Sequence, residues 1–143
     1  MKKIGIPKEE FADRIARLRV MMKDSGVDAM LVYGDEYRKE NLRYVSNYWP
    51  IFERGALLIP IEGNCTVLCA PEGEKVAREM SVWEDVRLVP DFLCVTVADS
   101  IDYPNASYTS FVALAKEIKA KHGLKKIGII GMDAMSMGLY NSI

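Results

Sequence analysis

The sequence is poor in the side chains that most often carry catalysis and metal binding. Its 143 residues include one histidine, His122, and three cysteines. A single histidine excludes a histidine-based metal cluster built within one chain. An odd number of cysteines is typical of free thiols in a reducing compartment, so we expect a cytoplasmic protein.

Long apolar runs and an excess of charge of one sign are also lacking. No stretch of about 18 apolar residues is present, and the basic N-terminal segment has no apolar core, so we expect neither a membrane span nor a signal peptide. The 19 Lys and Arg balance 20 Asp and Glu, which argues against nucleic-acid binding. With 50% hydrophobic residues, the composition excludes a disordered chain and predicts one domain with its own core.

Apolar spacing predicts alternating helices and strands. Two amphipathic helices are expected, one over residues 8–25 and one around residues 111–122 that ends at Gly123. Shorter helices are expected within residues 34–47 and over residues 71–80. The predicted strands are Ala29–Tyr33, Ala56–Pro60, Cys65–Cys69, Val86–Val89, Leu93–Val97 and Ile127–Ile130.

This order of elements predicts an α/β fold, a mixed β-sheet flanked by helices. One antiparallel hairpin is expected, with its turn at residues 61–64. Residues 99–107 have the composition of a loop. Residues 132–143 resemble the start of a further helix, and we therefore expect the chain to be one domain, residues 1–143, of a longer protein.

Several chemically active side chains are better explained by structure than by function. His122 is expected in a last helical turn, where a cation favours the helix dipole. Cys65 and Cys69 would lie about 13 Å apart on one strand face, at ~3.3 Å per residue, and are expected as core thiols. We interpret the acidic residues in predicted loops as solvated turn residues; they are Asp99, Asp102 and Asp133.

A glycine turn, Gly128–Gly131, follows a predicted strand and has the general form of a nucleotide-binding turn. It lacks both the Gly-x-Gly-x-x-Gly spacing and a Walker lysine. We interpret it as an ordinary strand-to-helix turn. A small nucleotide-binding protein remains a weaker hypothesis.

The segment from Tyr48 to Gly55 is the strongest candidate for a site. It combines three aromatic residues, a proline and Arg54 between a predicted helix and a buried strand. An arginine beside aromatic rings can bind a carboxylate through two parallel hydrogen bonds while the rings exclude water. Alternatively, the aromatic residues cover the end of the sheet and Arg54 pairs with a nearby carboxylate. The residues alone leave both interpretations open.

Several segments, in order and spacing, resemble the N-terminal domain of the creatinase, prolidase and aminopeptidase P family. The resemblance is strongest from Phe11 to Glu72 and covers most of the chain. Its segments are Phe11–Arg19, Gly26–Val32, Asn41–Asn47, the hairpin Ala56–Cys69 and the following Ala70–Glu72.

The resemblance implies a ribonuclease H-like domain that precedes a larger pita-bread domain. In the peptidases of this family, that second domain holds two divalent metals (Mn, Zn or Co) through two Asp, one His and two Glu. The resemblance therefore implies no catalytic residue and no metal ligand in this chain, which we expect to be inactive alone.

The resemblance also implies a homodimer in which this domain closes over the partner's active site. Phe52-Glu53-Arg54 stands where creatinase-like members have a Phe-x-Arg element that contacts substrate in the partner's pocket. Arg54 is then expected to bind a substrate carboxylate in trans, and Phe52 to form a packing wall. The expected substrate is a peptide or a small carboxylate.

The resulting hypothesis is a non-catalytic N-terminal domain of a metal-dependent Xaa-Pro dipeptidase, aminopeptidase or creatinase-like hydrolase. Its rival is a freestanding binding or dimerisation module with the same fold.

Overall fold

The computed structural model describes residues 5–94 and 107–143. Within these two ranges, five strands form one sheet: β1 (Ala29–Gly34), β2 (Gly55–Pro60), β3 (Thr66–Cys69), β4 (Asp85–Leu88) and β5 (Ile127–Ile130). The α-helices of the described residues are α1 (Lys8–Asp24), α2 (Glu40–Ser46), α3 (Glu74–Met80), α4 (Phe111–His122) and α5 (Met137–Tyr140).

The sheet has the strand order β4-β3-β2-β1-β5. Its two inner pairs, β1 with β2 and β2 with β3, are antiparallel, and its two outer pairs are parallel. The predicted mixed α/β sheet is therefore confirmed, and so is the hairpin between β2 and β3. The antiparallel pairing of β1 with β2 was not predicted, because α2 separates the two strands in the chain.

Helices cover both faces of the sheet, and the burial of strand β2 reflects this arrangement. All six of its residues are buried. Leu57 and Ile59 face a core that α1, α2 and α3 complete, whereas Ala56 and Leu58 face a second core under α4 and α5. Side chains of a strand alternate between faces, so a continuous apolar run is what a central strand between two helical layers requires.

Helix ends follow local chemistry. Ser110 caps the N-terminus of α4, and its hydroxyl accepts a hydrogen bond from the Ala113 amide at 3.2 Å. Gly123 (φ 70°) follows the last residue of the helix. α1 begins after Pro7 without a side-chain cap. None of the helices in residues 5–94 and 107–143 combines the length and the apolar character needed to cross a bilayer.

Three expectations need correction. The predicted helix over residues 71–80 begins as a 3-10 turn, Pro71–Gly73, and only then continues as α3. Residues 132–143 do not start one helix but form a 3-10 turn, Met132–Ala134, and the single-turn α5. Leu93 and Cys94 are not in a strand; residues 95–97 of that predicted strand lie outside the described residues, and so does all but residue 107 of the predicted loop over 99–107.

Candidate functional site

The loop of residues 48–54 joins α2 to β2 at the end of the sheet where β1 finishes, since Gly34 pairs with Gly55. Asn47 ends α2 in the left-handed conformation (φ 61°), which asparagine tolerates better than most residues. At the other end of the loop, a Cβ on Gly55 would lie 2.5 Å from Cε1 of the Tyr48 ring. The chain is therefore tightly packed where it enters and leaves this loop.

Glu53 occupies the centre of the loop and is 1% exposed. Its Oε1 accepts a hydrogen bond from the Tyr48 hydroxyl at 3.0 Å. Its Oε2 accepts from the backbone amides of Ile51 at 3.1 Å and Phe52 at 3.0 Å. Burial, and then the adjacent Glu53 carboxylate, raises the pKa of the Tyr48 phenol well above its ordinary value. The phenol therefore remains a hydrogen-bond donor, and all three donors are satisfied by one side chain.

The two residues that flank Glu53 are accessible. Phe52 is 47% exposed, and Arg54 is half-buried. The Arg54 guanidinium donates from Nη1 to the backbone carbonyl of Leu93 at 3.0 Å. No carboxylate in residues 5–94 or 107–143 forms an ion pair with it. Within that part of the chain, Arg54 retains donors that could bind an anion.

Behind Arg54 lies a phenol that stays neutral. Tyr33, at the end of β1, is 1% exposed. Burial raises the pKa of its hydroxyl to about 12, against the opposing effect of the Arg54 guanidinium. The Tyr33 phenol therefore stays neutral beside the Arg54 guanidinium at physiological pH.

Cys94 lies close to the same arginine, and Glu72 contacts Cys94. The Cys94 amide donates to Glu72 Oε1 at 3.2 Å, and the second Glu72 oxygen is buried without a partner among the described residues. Burial raises the pKa of the exposed Cys94 thiol despite the nearby Arg54. The Cys94 thiol is thus less readily ionised to the nucleophilic thiolate than a free cysteine.

The aromatic residues of the loop have different environments. Tyr48 is fully buried in the core that α1, α2 and α3 complete, with its ring against Gly55 at the start of β2. Trp49 contacts two cations, with Lys39 Nζ at 5.0 Å and Arg43 Cζ at 4.4 Å from the ring centroid. These cation–π contacts fix the first part of the loop against α2. Only Phe52 among the three aromatic residues is left with a largely open face.

Sequence reasoning missed Glu53 and Tyr33. The sequence pattern marks Glu53 only as the middle residue of an aromatic–arginine element, and Tyr33 only as part of a buried strand. A weak signal was present, since Glu53 is a carboxylate only two positions ahead of the fully apolar stretch of β2, with Arg54 between them. A charged residue next to such a stretch is either at the surface or buried with several donors.

A second polar region lies at the opposite end of the sheet, in a groove of about 480 Å³ between α4 and strands β2–β4. Arg87 donates to Asp85 and to Glu117, and Lys121 donates to Glu117 as well. Hydrogen bonds from Arg87, then from Lys121, lower the pKa of Glu117 to about 2. The same pairing raises the pKa of Arg87. These charges are paired with one another and connect α4 to the sheet edge.

The remaining candidates are placed by the structure as follows. His122 is in the last turn of α4, as predicted, and Cys65 and Cys69 are buried core thiols. Asp133 is exposed and pairs with Arg38 at 2.9 Å, whereas Asp99 and Asp102 lie outside the described residues. The segment Gly128–Gly131, predicted as a turn, is mostly strand: residues 128–130 belong to β5, and Gly131 leads into a short 3-10 turn rather than a helix. It therefore lacks the helix N-terminus that a nucleotide-binding turn uses.

Side chains suited to a metal are not brought together in the described ranges. Across these residues, no three side chains of His, Cys, Asp or Glu form a group able to hold a metal ion. The residues described therefore do not fit the two-metal centre that the sequence resemblance places in a second domain.

The fold and the loop together define an α/β domain that presents an arginine and an aromatic ring from a loop fixed at the sheet end. The sequence profile of the Creatinase/Prolidase N-terminal domain matches residues 14–143. The chain belongs to this family.

Two solved structures show the same fold. The first is an Xaa-Pro dipeptidase from Bacillus anthracis, at 19% identity and a TM-score of 0.56; the match covers 92% of this chain and 30% of that one. The second is a prolidase from Pyrococcus horikoshii OT3, at 19% identity and a TM-score of 0.50, with 82% and 32% covered. The chain thus matches about a third of the length of each enzyme. A sequence comparison with curated proteins found no match.

Proposed function

We propose that this chain is the non-catalytic N-terminal domain of a metal-dependent Xaa-Pro dipeptidase, aminopeptidase or creatinase-like hydrolase. Family membership supports this, and so does the match of the chain to one part of a dipeptidase and of a prolidase. In this proposal the domain contributes to a homodimer and closes over the partner subunit's active site. The bond-breaking centre, with its two divalent metals (Mn, Zn or Co), would belong to a further domain.

The loop supplies the substrate contact in this proposal. Arg54 binds the carboxylate of a peptide or small carboxylate substrate in the partner's pocket, and Phe52 packs against the substrate. The observation that carries the proposal is the contrast within one loop. Glu53 is buried with three donors, whereas Phe52 is exposed. Arg54 lies beside the Tyr33 hydroxyl and donates to the Leu93 carbonyl, and it forms no ion pair with a carboxylate of the described residues. An arginine without a carboxylate partner among the described residues, two positions from an exposed ring, suits anion recognition.

The free thiols fit a reducing compartment. Cys65, Cys69 and Cys94 form no disulfide, and the proposal places the protein in the cytoplasm.

Kinetics of the full-length enzyme test the arginine contact. We expect Arg54→Ala to raise KM for substrates with a free carboxylate by about ten- to a hundred-fold. Loss of a charged hydrogen-bonding partner is worth about 1.5–3 kcal/mol. We expect kcat to change little, because the carboxylate contact is the same in the ground state and the transition state.

Two controls make this test specific. A matched substrate whose carboxylate is amidated should show the same KM in the unsubstituted enzyme and in Arg54→Ala, since it offers no anion to bind. Arg17→Ala, at an exposed arginine on α1, should leave both substrates unaffected. An unchanged KM in Arg54→Ala for the free-carboxylate substrate would refute the contact.

The rival function, a freestanding module, makes a different prediction. Its reading frame would stop after Ile143, whereas our proposal expects the frame to continue into Asp, His and Glu metal-ligand motifs. Sequencing the gene past residue 143 distinguishes the two.

A further inference from the structure

The Glu53 side chain connects the buried and the exposed parts of the 48–54 loop. One carboxylate oxygen is bound by the hydroxyl of Tyr48, a residue that is itself fully buried. The other oxygen is bound by the amides of Ile51 and Phe52, whose side chains are about half exposed. Removing the carboxylate would therefore detach the accessible part of the loop from the core.

The space around Glu53 leaves its side chain little choice of position. A Cβ on Gly73, in the 3-10 turn that precedes α3, would lie 2.7 Å from Oε1, 2.8 Å from Cγ and 2.9 Å from Cδ of Glu53. Real Cβ atoms do not approach so closely, so the absence of a side chain at residue 73 makes the room that Glu53 fills. The carboxylate is held by contact as well as by hydrogen bonds.

The position of Glu53 in the chain gives this arrangement a functional meaning. It stands between Phe52 and Arg54, and its carboxylate binds the Phe52 amide directly. The Arg54 carbonyl accepts a hydrogen bond from the Ala70 amide at 3.3 Å, which fixes the next residue against the chain that follows β3. The backbones of Phe52 and Arg54, the two neighbours of Glu53 in the chain, are thus both fixed by hydrogen bonds. An arginine with a mobile backbone binds an anion less tightly, because binding must then also order that backbone.

We propose that Glu53 is a positioning residue that holds Phe52 and Arg54 in the orientation required for substrate binding. The role rests on the proposed function of this loop. Glu53 does not touch substrate; it acts through its two neighbours.

Hydrogen exchange of the intact protein tests the anchoring directly. Glu53→Ala should speed exchange of the Ile51 and Phe52 amides by about ten-fold or more, since each loses its acceptor. Glu53→Gln should leave that exchange slow. Its amide oxygen can accept both backbone hydrogen bonds, and its NH₂ can donate to the Tyr48 hydroxyl. Unchanged exchange in Glu53→Ala would overturn the anchoring.

Kinetics of the full-length enzyme test the positioning. Glu53→Ala should raise KM for a free-carboxylate substrate about as much as Arg54→Ala does, with little change in kcat, and Glu53→Gln should restore a low KM. In the Arg54→Ala background, Glu53→Ala should add little further increase, because both substitutions remove the same contact. If KM of the double variant rises by the product of the two single-variant factors, Glu53 acts independently of Arg54 and the proposal is wrong.

A variant outside the loop covers the case in which Glu53→Ala does not fold. Gly73→Ala keeps the Glu53 carboxylate but forces it from its position, so KM should rise here too. Gly138→Ala is the matched control, since a Cβ there meets no atom within 4 Å. Equal KM values in these two glycine variants would contradict the proposal.

Failure of this inference is distinguishable from failure of the proposed function. If Arg54→Ala raises KM and the Glu53 and Gly73 variants do not, only the positioning role is refuted. If Arg54→Ala leaves KM unchanged, the proposed substrate contact is refuted and the positioning role with it.

Discussion

Substitution of Glu117 should weaken the protein at neutral pH and have no effect in strong acid. Glu117, on α4, accepts hydrogen bonds from Arg87 of β4 at 2.7 Å and from Lys121 at 2.8 Å. Arg87 is also bound to Asp85 through two hydrogen bonds. This network connects the helix that covers one sheet face to the edge strand, and Glu117→Gln removes its central charge.

The expected loss of stability in Glu117→Gln follows from the pKa of Glu117, which Arg87 and Lys121 lower from 4.5 to about 2. Linkage converts a lowering of this size into at most about 3 kcal/mol of stability. The Glu117 side chain is 36% exposed, and solvent screens such a pair strongly. We therefore expect Glu117→Gln to reduce the free energy of unfolding by about 1 kcal/mol at pH 7.

The sign of the pH dependence is fixed by the direction of the shift. The folded protein keeps the Glu117 carboxyl group ionised down to a lower pH than the unfolded chain does. Its contribution is therefore complete above about pH 4.5 and is lost as the pH falls towards 2.

Urea unfolding at pH 7, 4 and 2.5 measures this effect. The gap between the unsubstituted protein and Glu117→Gln should be about 1 kcal/mol at pH 7 and should shrink at each lower pH. Glu84→Gln is the matched control, because the Glu84 side chain is 91% exposed in its pair with Lys8; its effect should be close to zero. A gap of the same size at pH 2.5 and pH 7 would refute the electrostatic explanation.

Two further substitutions test the fold. Ile59→Ala, at a fully buried position of β2, should lower the free energy of unfolding by about 2–5 kcal/mol in urea, whereas Val20→Ala, at a site 59% exposed, should be nearly neutral. Gly131→Ala should lower the melting temperature, because Gly131 has φ 88° and a Cβ there would lie 2.8 Å from the Tyr33 carbonyl oxygen. The control Gly138→Ala should leave the melting temperature unchanged. A lower melting temperature in both variants would contradict this explanation.

The fold was predictable wherever periodicity was strong. The first helix was expected over residues 8–25 and occupies Lys8–Asp24, and the last strand was expected and found at Ile127–Ile130. Apolar spacing decides these elements because each must turn an apolar face to the sheet. The pairing of β1 with β2 was not accessible in this way, since it depends on how α2 folds back between them.

The segment after β5 shows where local pattern fails. Residues 132–143 have helical composition, yet Gly131 enters the left-handed region and Ser136 begins a separate single turn. These two backbone positions begin the 3-10 turn and α5 separately, although the hydrophobic pattern runs on between them. Periodicity does not report such interruptions.

The candidate loop was located from its composition, but its organisation was not. A pattern of aromatic residues around an arginine indicates a site without saying which side chains are buried. The structure shows Glu53 inside with Tyr48, and Phe52 and Arg54 accessible. Three donors around one carboxylate depend on a turn geometry that spacing along the chain does not encode.

Mixed dimers of the full-length enzyme test the central claim, that Arg54 acts in the active site of the partner subunit. In one dimer, a subunit with Arg54→Ala and an intact catalytic domain is paired with a subunit that keeps Arg54 but has an inactivated catalytic domain. In the reciprocal dimer, an otherwise unsubstituted subunit is paired with one that carries both defects.

The KM of the single working site in each mixed dimer gives the answer. The account predicts a normal KM in the first dimer, whose working site receives Arg54 from the partner, and a KM raised about ten- to a hundred-fold in the reciprocal dimer. The opposite pattern would place Arg54 in its own subunit's site, and an equal KM in both dimers would remove Arg54 from substrate binding altogether.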